Sequence, residues 1–260
     1  MNQSQNNTGI LNQSQGFGVT QKYTPVKTQS LIETLQGQGY ILTDVKKTKV
    51  RSASKEGFQK HMVRMSHSDM VLRNVNDSRP EVVIVNSHDG LSSVRIMLGI
   101  FRLVCSNGMV VGSTFAGFNV RHVGDIMPQI ETGLIQVASK LPEVSSRIEA
   151  MQRIILTQSE QLDFARQAVD LILPKSAESV NLESALKLRR GQDSGSSLWL
   201  TYNRIQESLL RGGVQYTTAT QDDAQKIVSI RHNTSRAIKS IDRQVEVNQA
   251  LWDLTSQRAA

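Results

Sequence analysis

Between Glu81 and Asp125 polar and charged side chains interrupt runs that are otherwise apolar. The stretch reads Glu81-Val-Val-Ile-Val-Asn86-Ser87-His88-Asp89-Gly90, then Arg95 to Gly108, then Asn119-Val-Arg121-His122-Val-Gly124-Asp125. Residue types for three chemistries are present. Cys105 with His88 or His122 as base and Asp89 or Asp125 as orienter would make a nucleophilic site. His88, Asp89, His122 and Asp125 could ligate a divalent metal, but no compact His-x-x-x-His spacing fixes a geometry. Cys105 follows the apolar run Ile100 to Val104, which suits a small buried side chain better than an activated thiolate. No residue is therefore expected to be catalytic or to hold a metal, and no cofactor is expected. The arginines Arg95, Arg102 and Arg121 form the third set: an unpaired guanidinium among valines and leucines is costly, so each needs a carboxylate or an anionic ligand.

A second cationic group lies just upstream. Between Val45 and Val75 stand Lys46, Lys47, Lys49, Arg51, Lys55, Lys60, Arg64 and Arg73 against Glu56 and Asp69, so 8 − 2 leaves about +6 of the chain's formal +7 in this one stretch. Such a concentration is either a solvated hairpin or the footprint of a polyanion. The nucleic-acid candidates are Lys46, Lys47, Lys49, Arg51, Lys60, Arg64, Arg95, Arg102, Asn107, Arg121 and His122. No Walker loop, Gly-x-Gly-x-x-Gly turn or nucleophile elbow occurs, which argues against nucleotide hydrolysis.

The elements that must position these groups follow from periodicity. Residues 1–24, rich in Asn, Gln, Ser and Gly, read as a flexible extended arm. A short helix is expected over Val26 to Leu35, then strands over Tyr40–Arg51 and Phe58–His67 joined as a basic hairpin, an apolar strand over Val82–Val85, and a further run over Ser93–Val104 compatible with strand or short helix. Short strands are expected at Met109–Val111 and Phe118–Val120. After Asp125 the period becomes helical: Ile126 to Leu173 with a break near Pro142 and a cap at Thr157 with Glu160, Leu182–Arg190, Leu198–Leu210, and a final helix from Thr220 to Gln257. The expected fold is α+β: a basic antiparallel sheet core over 25–125, followed by a helical part over 126–260 that packs on it and ends in a long helix.

At 260 residues, 38% hydrophobic and 5% aromatic, the chain suits one large domain with appendages. It has no run long enough for a membrane helix, no signal-peptide pattern, and a single cysteine, which excludes an internal disulfide; a cytoplasmic location is the expectation.

Four ordered blocks carry a resemblance. They are Val85 to Gly90, Gly99-Ile-Phe-Arg102-Leu-Val-Cys105-Ser106-Asn107-Gly108, Val120-Arg121-His122-Val-Gly124, and Leu198-Trp199-Leu-Thr-Tyr202-Asn203 through Gly213, with Val247-Asn248 to Trp252 in the same pattern. From about Tyr40 to Trp252 the chain resembles a phage/plasmid-like protein family catalogued as a domain of unknown function (family nine-three-two). That resemblance implies a protein of mobile elements and supplies no reaction or catalytic residue. The order of helix, basic hairpin, strands and helices is also similar in layout to phage single-strand annealing proteins of the RecT and Red beta type, a fold-level analogy. The expected function is binding of single-stranded DNA as an oligomeric annealing or recombination mediator in the host cell. The alternative is an anti-defence protein that binds and blocks a host immunity protein.

Overall fold

The computed structural model describes residues 8–50, 52–68, 78–102, 108–110, 117–221 and 227–259. The chain divides into two compact units, Met1–Ser145 and Ser146–Ala260. No helix among the described residues is long and apolar enough to cross a membrane.

The first unit is built on an antiparallel sheet. After a single helical turn, α1 (Thr8–Leu11), and the helix α2 (Thr28–Gly37), five strands run in sequence order: β1 (Tyr40–Lys47), β2 (His61–His67), β3 (Ser78–Asn86), β4 (Val94–Arg102) and β5 (Gly108–Val110). A sixth, β6 (Gly117–Val120), shares the outer edge of β4, pairing with Val94–Met97 while β5 pairs with Gly99–Phe101. Of the Ser93–Val104 run, Val94–Arg102 is a strand and residues 103–104 lie outside the described residues: Ile96, Leu98 and Ile100 alternate with residues on the other face and are all fully buried.

Register sorts every side chain onto one of two faces. Val63, Ile84, Ile96 and Phe118 are cross-strand partners, and His61 and Asn86 lie on the same face two residues away. Helices cover this face. Leu31, Ile32 and Leu35 of α2 are each 1% exposed, and α3 (Met127–Ser139) brings Gly133 so close to Phe118 that a Cβ there would lie 2.4 Å from its ring. Residues 8–24, read from sequence as a flexible arm, lie against the end of the sheet: Ile10 and Leu11 are buried, and the Phe17 N–H donates to the His88 carbonyl at 2.8 Å.

The helix α4 (Leu141–Arg153) carries the chain into the second unit; Pro142 sits in its first turn, where the missing N–H costs nothing. There α5 (Gln158–Val169) begins with the expected capping box, Thr157 accepting from the Glu160 N–H and Glu160 accepting from the Thr157 N–H at 2.7 Å. A strand β7 (Ala177–Asn181), a turn of helix α6 (Leu182–Ala185) and the amphipathic α7 (Leu198–Arg211) follow. The helix expected over Leu182–Arg190 ends at Ala185. A larger correction concerns Thr220–Gln257: it is not one helix but the end of β8 (Gly212–Gln221), the strand β9 (Ile227–Arg236) and α8 (Ile241–Arg258). Tyr216, Thr217 and Thr218 favour a pleated strand, and β9 pairs with β8 over its length in a three-stranded sheet β7-β8-β9. Consequently Ile230, whose spacing from Ile227 and Ile238 would suit the apolar side of a helix, is 61% exposed. The core of this unit is aromatic: Trp199 and Tyr202 stack at 5.6 Å, and Trp252 of α8 meets Tyr202 edge-on at 6.1 Å.

Candidate nucleic-acid interface

The cations expected to grip a polyanion divide among several places. Lys46, Met62, Val85, Arg95 and Asn119 form one cross-strand row, and Asp44, Arg64, Val83 and Met97 the next, so Lys46, Arg64 and Arg95 share the face opposite the helices. Lys47, one residue on, points to the other face. Arg64 is committed within the protein: its Nε lies 2.7 Å from Oε2 of Glu81, a carboxylate with no exposed side-chain surface, and its Nη1 lies 3.4 Å from Asp44. Arg79 approaches the other Glu81 oxygen at 3.6 Å. Burial lowers the Lys46 pKa, against the opposing pull of Asp44, with Arg64 pushing the same way as burial. Arg51, Asn107 and Cys105 lie outside the described residues, and Arg102 is described as the β4 partner of Ser78.

The remaining candidates come together at one end of the sheet. Register places Lys47, His61, Asn86, Val94 and Val120 at that end, so the β1–β2 connection, the β3–β4 turn and the segment after β6 all emerge there. The His88 N–H donates to the Phe58 carbonyl at 2.9 Å, and Phe17 of the arm packs on Phe58 with rings 5.4 Å apart. Lys49 and Lys55 from the first connection are exposed and Lys60 is half-buried; Lys22 from the arm and Arg121 from the third segment are exposed. These five cations share the region with Glu56, Asp89 and Asp125, so positive charge predominates.

A buried polar network fixes this end. Asn86 donates to the Val26 carbonyl at 3.1 Å and to Thr28 Oγ1 at 3.0 Å, while its own oxygen accepts from the Ser87 N–H at 2.8 Å. Thr28 Oγ1 lies 2.7 Å from His61 Nε2, and His61 Nδ1 lies 3.1 Å from the Gln59 carbonyl. This pattern assigns a neutral His61 that donates from Nδ1 and accepts at Nε2. His61 stacks on His88 at 5.4 Å, and His122 stacks on Tyr23 at 4.6 Å. Burial pushes both His61 and His88 down to about 4 and lowers His122 as well; Tyr23 is pushed up to about 12, by burial first and then by Asp89. These rings are therefore uncharged at neutral pH. They pack as two stacked pairs, and no group of three or more His, Cys, Asp or Glu among the described residues is arranged to hold a metal.

Beside the Tyr23–His122 pair lies a cavity of about 530 Å³, bounded by arm residues 18–20 and 22–23, turn residues 89–93 and residues 121–123. Tyr23 and His122 line it, Lys22 and Arg121 bring positive charge, and Asp89 with Ser92 and Ser93 supplies hydrogen-bonding groups. Leu91 and Val123 at its boundary are 76% and 56% exposed. Sequence reasoning reached Arg121 and His122 but missed Lys22, Tyr23 and Leu91. The arm's polar composition gave no sign that it docks, although its apolar residues Ile10 and Phe17 are the ones that seat it.

Residues 18–252 match the family described as Domain of unknown function (DUF932). The chain belongs to that family. Among its relatives in Escherichia coli (strain K12), the chain is similar to UPF0380 protein YafZ and UPF0380 protein YfjQ, 33% identical to each over 233 residues, which cover 90% of this chain and 81% of either relative. No solved structure matches. The DUF932 region begins at Gly18 rather than near Tyr40, so it takes in Lys22 and Tyr23 and every residue that lines the cavity.

Proposed function

We propose that this DUF932 protein binds nucleic acid of a mobile element, holding single-stranded DNA as an oligomeric annealing or recombination mediator without nucleotide hydrolysis. One observation carries the reading: two loops and the arm deliver Lys22, Lys49, Lys55, Lys60 and Arg121 to one end of the sheet, which also holds a concave cavity. Cations on loops around a hollow suit a flexible strand that can follow the surface. The strand-borne Arg64, held by two carboxylates, is not among the phosphate contacts.

The test is affinity for a labelled oligonucleotide as salt is raised. Four contacts, from Lys22, Lys49, Lys55 and Arg121, imply a logarithmic slope of about −2.8 for a single strand, so affinity falls about 50-fold between 50 and 200 mM salt. Lys49→Glu with Arg121→Glu removes about 1.4 from that slope. A flat salt profile, or unchanged binding by the double variant, overturns the proposal. Light scattering with and without oligonucleotide tests assembly: a ring or filament is expected, and a strict monomer contradicts the annealing role.

A further inference from the structure

We propose that the cavity between the arm, the β3–β4 turn and the segment after β6 lodges one unstacked nucleotide of the bound strand, with its base inside and its phosphate at the cationic side. The proposal rests on the nucleic-acid reading above and adds a discrete site to it. About 530 Å³ lies within the roughly 300–1,000 Å³ of small-ligand sites.

The lining separates chemically by segment. Lys22 and Arg121 come from two stretches held side by side, where the Thr24 N–H donates to the His122 carbonyl at 2.8 Å. Both are exposed, and ammonium and guanidinium suit phosphate oxygens. The turn contributes different groups: Asp89, Ser92 and Ser93. Asp89 Oδ1 accepts from the Leu91 N–H at 3.2 Å, which shapes the turn, and the carboxylate has a second oxygen. A carboxylate repels a phosphate and accepts from an amino group, so the turn side suits a nucleobase edge rather than an anion.

Apolar contacts for such a base are present as well. Leu91 and Val123 hold large exposed apolar surfaces at the boundary of the same cavity, which is costly in water and useful against a ring. Tyr23 is already fixed, stacked on His122 and donating its hydroxyl to the Ser87 carbonyl at 3.1 Å, so it presents a rigid ring at low entropic cost. An exocyclic amine facing Asp89 predicts preference for cytosine or adenine over thymine, which lacks one.

The experiment uses the full chain and three probes: deoxycytidine monophosphate, thymidine monophosphate and inorganic phosphate. The chain has 5 histidines, so the ring signals of His122 can be followed by NMR together with those of Tyr23. Deoxycytidine monophosphate is expected to shift both rings, and thymidine monophosphate to bind about tenfold more weakly. Asp89→Asn keeps an acceptor for the Leu91 N–H and should erase that difference; as it is a mild change, the wild-type comparison of the two nucleotides stands even if the variant misfolds. Equal binding of phosphate and nucleotide overturns the proposal, as does an absence of ring shifts up to about 10 mM nucleotide. Oligonucleotide affinity, measured separately by anisotropy, distinguishes the two readings. Salt-dependent oligonucleotide binding that leaves His122 and Tyr23 unmoved removes the cavity site and keeps the interface. Nucleotide binding without oligonucleotide binding removes the interface and leaves a free-nucleotide site.

Discussion

Replacing Arg64 with leucine separates a structural arginine from a phosphate-binding one. Arg64 is 13% exposed at its side chain, and its partner Glu81 is fully buried at 2.7 Å. The substitution strands that carboxylate with Arg79, 3.6 Å away, as its remaining cation among the described residues. Breaking a buried pair by removing one partner costs about 3–5 kcal/mol, against a total stability of about 5–15 kcal/mol for a typical domain. With a urea dependence of about 1–3 kcal/mol per molar, the midpoint for the sheet unit should fall by about 1–5 M. Removing both charges, Arg64→Leu with Glu81→Leu, should recover most of the loss, because Arg79 and Asp44 are 43% and 46% exposed and water can solvate them once their buried partners are gone. Far-ultraviolet circular dichroism in urea reads the stability, and oligonucleotide anisotropy at a temperature where both variants are folded reads the binding. The salt slope should change by less than the roughly 0.7 of one phosphate contact. A stable Arg64→Leu variant whose slope falls by that amount would refute the assignment and return Arg64 to the interface.

Acid should unfold the sheet unit through His61. Its pKa is about 4 in the folded chain and ordinarily 6.5, so the unfolded chain takes the proton first; stability is full above pH 6.5 and is lost as pH falls toward 4. At pH 4.5 the loss is about 2.5 kcal/mol from this residue, and His61→Gln should flatten the pH dependence of the unfolding free energy, measured in urea, by that amount. An unchanged pH profile in the variant would contradict the buried neutral state. Gly212→Ala should destabilise the second unit by more than about 2 kcal/mol, since Gly212 has φ +81° and an added Cβ would lie 2.5 Å from the Ser235 carbonyl oxygen. Both tryptophans, Trp199 and Trp252, lie in that unit, so their fluorescence in urea reports the transition, and an unshifted midpoint would show that the junction relaxes freely.

The sheet of the first unit was legible because its strands alternate and its breaks are chemical. Gly37 and Gly39 end α2 before Tyr40, and His88-Asp89-Gly90 closes β3 with Gly90 at φ +69°. The second sheet was misread for an equally physical reason. Ile227, Ile230, Ile238 and Ile241 fit a helical stripe, and Asp222 with Asp223 looks like an acidic first turn, but spacing records only that apolar residues recur. Pairing partners decide between period 2 and period 3.6, and for β9 the partner β8 opens at Gly212-Gly213, a pair that by itself signals only the end of a helix. Likewise charge density located Lys46 to Arg64 but could not say that Glu81, 17 residues after Arg64, occupies its guanidinium. Long-range neutralisation leaves no local signature.

The same long-range logic explains why the candidate site sits at a sheet end rather than on a sheet face. A strand face at Arg64 is crowded by partners every two residues, so a cation there finds a carboxylate before it finds solvent. A loop end has no such lattice, yet it must still be held in shape for a ligand. Here the Asn86–Thr28–His61 network ties the β3–β4 turn to α2, and Tyr23 ties the arm to the same turn through the Ser87 carbonyl. Asn86, Thr28 and His61 are buried and linked through Thr28 Oγ1, so loss of one leaves a donor or acceptor stranded. Rigid support under exposed cations is what a strand-binding surface requires, because a pre-ordered lysine or arginine gives up less entropy when it meets a phosphate.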